Sequence, residues 1–148
     1  MADRANQTFK VVNDVAVLSF TWLGSLATGA VSNTDTNATT ITPYLLGKWK
    51  VISATTIPNS SPASAPSANY DLTLKDVYGV DIMGGALTNR SATAIETVEP
   101  LIGTNQVKYP VTSALTFAVS GNTATLGGGK CHFIFERIRS LDPGVFTR

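Results

Sequence analysis

Apolar residues recur at every second position in short runs, and glycine, proline or asparagine cuts off each run. That period builds strands and leaves no room for an amphipathic helix. Residues 130–138 (KCHFIFERI) set Cys131, Phe133 and Phe135 on one side and His132, Ile134 and Glu136 on the other. Residues 70–75 (YDLTLK) do the same with Tyr70, Leu72 and Leu74 against Asp71, Thr73 and Lys75. Residues 46–57 (LGKWKVISATTI) place Trp49, Val51 and Ser53 opposite Lys48, Lys50 and Ile52. Residues 8–22 hold Phe9, Val11, Val15, Val17, Phe20 and Trp22, with Asn13-Asp14 as a turn signal, so they form two strands or one bulged strand. Residues 111–120 align Leu115, Phe117 and Val119.

Weaker signals fill the rest. Residues 36–42 (TNATTIT) read as a Thr-rich surface strand closed by Pro43. Asp76 to Gly79 reads as a turn, with residues 80–83 returning as the second strand of a hairpin. Residues 86–95 have room for one helical turn, and residues 96–101 read as extended. Gly121-Asn122 marks a turn, and Gly127-Gly128-Gly129 reads as a flexible break. The Pro/Ser/Ala run at residues 58–69 (PNSSPASAPSAN) reads as a long exposed loop. About seven to nine short strands with turns between them predict an all-β chain, a β-sandwich of jelly-roll or Greek-key type. One domain spans residues 1–148, with an N-terminal arm at 1–7 and a C-terminal tail at 139–148.

Only 14% of residues are charged, against roughly 25% in an average soluble domain. Weak repulsion between copies favours association, which suits a subunit of an assembly. The net charge of +1 lacks the basic footprint of a nucleic-acid binder. The basic bias near the end, Lys130, Arg137, Arg139 and Arg148 against Glu136 and Asp142, reads as a solvated tail or a partner contact. No apolar run approaches the ~20 residues of a membrane helix, and the first residues lack the apolar core of a secretion signal. A single cysteine, Cys131, excludes an internal disulfide and points to a reducing compartment. In that setting the sequons at Asn6, Asn37, Asn59 and Asn89 follow from composition.

Candidate chemistry is sparse. His132 is the only histidine and neighbours Cys131, so on a strand the two side chains point to opposite faces. They can neither share a metal nor form a nucleophilic pair. Asp71, Asp76 and Asp81 invite a calcium reading, but their spacing lacks the ligand pattern and closing glutamate of an EF-hand loop. A turn capped by Asp76, with Gly79 at an unusual backbone angle, is the simpler account. Glu96 and Glu99 lack an acidic partner for glycosidase chemistry. The triple glycine precedes a strand and no Lys-Ser/Thr follows it, so it is no phosphate loop. Trp22, Trp49, Tyr44, Tyr70, Tyr78 and Tyr109 serve either a sugar-binding face or a core. No catalytic, cofactor or metal site is expected, and an enzyme is the least supported class.

Residues 70–90 (YDLTLKDVYGVDIMGGALTNR), followed by residues 110–122 (PVTSALTFAVSGN) and a terminal strand KCHFIFER, resemble a block found in small virion structural proteins of tailed bacteriophages. The shared order is a Tyr-Asp-x-x-Leu strand, an Asp-x-x-Gly turn, a Gly-Gly pair and an Asn-Arg, and it covers about half of the chain. The resemblance implies a non-enzymatic head cement or decoration protein that bridges major capsid protein subunits as a dimer or trimer. A tail or baseplate subunit is the alternative within the virion, and a carbohydrate-binding sandwich the alternative outside it. The implied location is the virion, assembled in the host bacterial cytoplasm, with no nucleic-acid or membrane partner. The arm, the Pro/Ser loop and the tail would carry the contacts.

Overall fold

The computed structural model describes residues 4–139. The tail expected at 139–148 lies outside the described residues, apart from the exposed Arg139. The chain is almost entirely β-structure, as its alternating runs predict. The larger sheet contains β1 (Arg4–Val12), β2 (Val15–Leu23), β11 (Gly128–Arg137), β4 (Trp49–Pro58) and β6 (Glu96–Val98), in that spatial order and all antiparallel. A short β9 (Tyr109–Pro110) joins the same edge of β4 at Lys50 and Val51. The smaller sheet orders β3 (Thr34–Asp35), β10 (Thr116–Ser120) and β5 (Asp71–Lys75). A minimal hairpin of β7 (Leu101–Ile102) and β8 (Asn105–Gln106) forms its own two-stranded sheet.

The two main sheets face each other across one aromatic core. Phe20 of β2 stacks on Phe117 of β10 at 4.3 Å, nearly parallel. Phe133 of β11 meets both rings edge-on. Trp22 packs on Tyr70 at 5.2 Å, beside the start of β5. The inward residues of the alternating runs are the ones buried: Ala16, Leu18, Phe20 and Trp22 on β2, and Cys131, Phe133 and Phe135 on β11. This is a β-sandwich, and its last strand lies in the middle of the larger sheet, with full-length ladders on both sides.

Several local expectations are corrected. The arm placed at residues 1–7 is strand from Arg4 onward, paired to Thr21, Trp22 and Leu23. Polar side chains do not prevent pairing on an edge strand, and Gln7 fastens that edge. Its Nε2 donates to the Asp35 carbonyl at 2.8 Å, and its Oε1 accepts from the Asn37 amide at 2.9 Å. The Thr-rich run at 36–42 is a turn instead of a strand. Asn37 Oδ1 accepts from the amides of Thr39 and Thr40, and this local alternative outweighs the β-preference of threonine. The chain then makes the short helix α1 (Thr42–Leu45), with Pro43 in its first turn.

The hairpin at 70–83 is half formed. Its Asp76 turn is present, yet residues 80–83 contribute only an isolated bridge between Lys75 and Asp81. Asp81 draws the chain into a turn by accepting amides from Leu74, Met83 and Gly85. Residues 86–95 are turns and bends without a helix. The strand expected over 111–120 starts only at Thr116, because Val111 bonds instead to Trp49 of β4 and to Gly47 in the turn before it.

The glycine run at 127–129 is no flexible break. Gly128 and Gly129 open β11, and all three are buried. A Cβ at Gly128 would lie 2.3 Å from the Trp22 carbonyl oxygen, so glycine lets two strands approach closely there. The Pro/Ser segment is also held down. The Asn59 amide donates to the Gly128 carbonyl, the Gly128 amide donates to the Ser64 carbonyl, and Pro66 is buried.

Asn122 gathers three loops. Its Nδ2 donates to the Gly29 carbonyl at 2.8 Å, and its Oδ1 accepts from the Ser67 amide at 3.0 Å. Removing the amide leaves a buried carbonyl and a partly buried N–H unpaired, each costing about 1–3 kcal/mol. Asn122→Ala is therefore expected to lower folding stability by about 2–3 kcal/mol. Urea denaturation checks this, and a loss under 0.5 kcal/mol would show that water replaces the bonds.

Candidate functional site

The residues named from sequence as chemical candidates do not converge. Cys131 lies fully buried in the core, where desolvation holds its thiol far above the ordinary cysteine range. His132 lies on the opposite, outer face of β11, as strand alternation requires. The carboxylates of Asp71, Asp76 and Asp81 bind backbone amides. Asp71 takes Asn89, Asp76 takes Tyr78 and Val80, and Asp81 takes the three named above. Gly79 has φ +82°, as the turn reading requires. Among the described residues no group of three His, Cys, Asp or Glu side chains could hold a metal ion. Glu96 accepts the Ser91 amide and pairs with Arg90 at 3.5 Å, while Glu99 stands exposed.

Both tryptophans fill the core, so the exposure on which a sugar-binding role for Trp22 or Trp49 depends is absent. Tyr70 is also fully buried, and desolvation raises its phenol to about 12. Tyr44 is packed between Phe9 and Trp49, and Tyr109 is half-buried. Tyr44 nevertheless keeps 40% exposure, and Tyr78 projects furthest, from the Asp76 turn.

One pairing was not foreseen from the sequence. Ser19 of β2 and His132 of β11 are cross-strand partners, and Ser19 Oγ lies 2.5 Å from His132 Nδ1. No local signal reveals it, because it depends on β2 and β11 being neighbours. A hydroxyl beside an imidazole is part of a hydrolytic site, but such a site also needs donors aimed at a developing oxyanion. The two residues sit in mid-ladder on a sheet face, where backbone amides serve neighbouring strands in the plane of the sheet. No carboxylate contacts the ring in the described residues. Among the described residues the pair is a part-buried hydrogen bond between neighbouring strands.

Burial, and then the nearby Lys130 charge, hold the His132 pKa below its ordinary value. The unfolded chain therefore binds the proton more tightly than the folded one. Stability is fully present above the unfolded pKa of about 6.5 and falls as pH drops from there through the lower folded pKa. The melting temperature is expected to decrease more steeply between pH 7 and 5 in the native chain than in His132→Gln. The ring-proton NMR titration of this sole histidine should have its midpoint below 6.5. Equal slopes with a midpoint at or above 6.5 would contradict the assignment.

The outer face of the larger sheet carries three shallow, open grooves. One is lined by Thr8, Lys10, Val17, Ser19, His132 and Ile134. A second contains Asp14, Val15, Lys50, Glu136 and Ile138, and a third Glu99, Gln106, Val107 and Lys108. Ile52 belongs to the last two, for a structural reason. β4 bulges there: Phe135 pairs with Val51 and Ile134 with Ser53, so Ile52 has no partner on β11. The bulge also moves Ser53 off the face of Trp49, contrary to simple alternation, and brings Ala54 and Thr56 inward.

Ion pairs organise the end of this face. Glu136 Oε1 accepts from Lys108 at 2.9 Å and lies 3.2 Å from Lys50. The Lys108 bond, supported by Lys50, keeps the Glu136 carboxyl below its ordinary pKa. Asp14 faces Arg137 at 3.5 Å and Arg139 at 3.9 Å, while the Arg137 guanidinium also covers the Trp49 ring at 4.9 Å. No protein-family model, curated protein or solved structure matches this chain.

Proposed function

We propose that this chain is a virion structural protein of a tailed bacteriophage, a head cement or decoration protein that bridges and stabilises major capsid protein subunits and acts as a dimer or trimer. The sequence block at residues 70–137 suggests it. One structural observation carries it furthest: the carboxylates of Asp71, Asp76 and Asp81 are taken up by backbone amides, while the larger sheet presents a continuously paired outer face. A rigid scaffold with an open face suits repeated contact with a shell better than turnover of a small substrate. Many weak contacts repeated over a shell give a strong attachment. The jelly-roll or Greek-key winding expected for such a protein belongs to this reading. The passage of the chain between the two sheets from β2 to β3, β3 to β4, β4 to β5, β5 to β6, β9 to β10 and β10 to β11 is compatible with it.

Native mass spectrometry tests the proposal, on the protein alone and after mixing with capsid shells freed of accessory proteins. A discrete dimer or trimer that sediments with shells and raises their melting temperature is the expected result. A monomer that ignores shells would sink the cement role, and binding to tail fractions instead would move the protein to the tail or baseplate.

A further inference from the structure

We infer that the outer face of the six-stranded sheet is the docking surface, and that its partner is a folded protein surface with an apolar centre and an acidic rim. The inference rests on the cement reading and adds to it which face binds and what chemistry meets it. Val15, Val17, Ile52, Ile134 and Ile138 form an aliphatic band across the face. Around it stand Lys10, Lys50, Lys108, Lys130, Arg137 and Arg139. Among the described residues only Asp14, Glu99 and Glu136 oppose them there, although the chain as a whole is nearly neutral at +1. Among the described residues neither Lys10 nor Lys130 has a carboxylate partner.

An apolar centre with a charged rim is the anatomy of a protein–protein contact. A single-stranded nucleic acid would call for stacking aromatics, and among the described residues no Phe, Tyr or Trp lines the three grooves. A second copy docked face to face would set the basic rim against itself, whereas an acidic rim complements it. The area is sufficient. Four strands of nine or ten residues, ~4.8 Å apart and ~30 Å long, give with the short β6 and β9 roughly 650 Å², within the range of about 600–1,000 Å² per partner of a stable interface.

The test combines binding with lysine footprinting, using accessory-free capsid shells as the probe. Acetylation should be blocked on shells at Lys10 and Lys130 while Lys75, on the smaller sheet, stays reactive. The double variant Lys10→Glu/Lys130→Glu should bind at least 10-fold more weakly, with native affinity falling as salt rises. Ile134→Ser should weaken binding by a similar factor without loss of folding, and Tyr78→Ser, away from this face, should not. Native-strength binding by the double variant, or protection of Lys75 in place of Lys10 and Lys130, would overturn the assigned face and leave the cement reading standing. Dimers of the isolated chain that shield Lys10 and Lys130 would make a second copy the occupant and overturn the acidic partner. Failure of the native chain to bind shells would instead remove the cement reading itself, and this inference with it.

Discussion

Truncation of Phe117 to alanine is expected to remove about 3–5 kcal/mol of folding stability, the range for deleting a fully buried aromatic ring. Phe117 is the one large ring that the strands of the smaller sheet pack against both Phe20 and Phe133 of the larger. Losing it removes apolar burial and two ring contacts, and opens a cavity between sheets that cannot collapse without bending β10. For a chain of this size the melting temperature should drop by roughly 8–15 °C. Chemical denaturation followed by tryptophan fluorescence reads the same loss, because Trp22 and Trp49 are both buried. If Phe117→Ala does not fold at all, Phe117→Leu keeps most of the volume and should lose less than half as much. A Phe117→Ala loss below 1 kcal/mol would mean that the two sheets do not depend on each other.

The strands that carry this core were legible because their side chains alternate without interruption. Residues 130–138 and 70–75 bury the residues that a period of two assigns to one face. Legibility failed where a side chain competed with the ladder. Asn37 and Asp81 each gather backbone amides and turn the chain out of a strand that its β-branched neighbours would favour. It failed again at Gly128, because glycine marks flexibility and close approach with the same letter, and only strand order tells them apart. The outer face was illegible for the same reason. Lys10, Ile52, Lys108 and Ile134 come from distant parts of the sequence and share a surface only once β11 lies between β2 and β4. The placement of Cys131 and His132 on opposite faces was legible, since neighbouring residues on a strand point apart.

Two glycines with the same backbone sign should respond very differently to one added methyl group. Gly79 has φ +82° and Gly84 has φ +62°, so alanine at either is strained by about 1 kcal/mol. Around Gly79 there is open space, and Gly79→Ala should lose only that amount. At Gly84 the new Cβ would sit 1.6 Å from the Leu101 carbonyl oxygen. That neighbour is backbone, so no rotamer change relieves the overlap. The two segments must part, and the bond from the Leu101 amide to the Met83 carbonyl, now 3.1 Å, parts with them. Met83 and the adjoining Ile82 are both buried, so the displacement reaches the core. Gly84→Ala is therefore expected to cost about 4 kcal/mol, the sum of left-handed strain, a lost hydrogen bond and forced repacking. Urea midpoints of the two variants, measured side by side, separate the effect of steric space from that of backbone angle. Similar losses at both positions would show that the 101–106 hairpin moves freely away from Gly84, and that its position beside the larger sheet is not fixed by this contact.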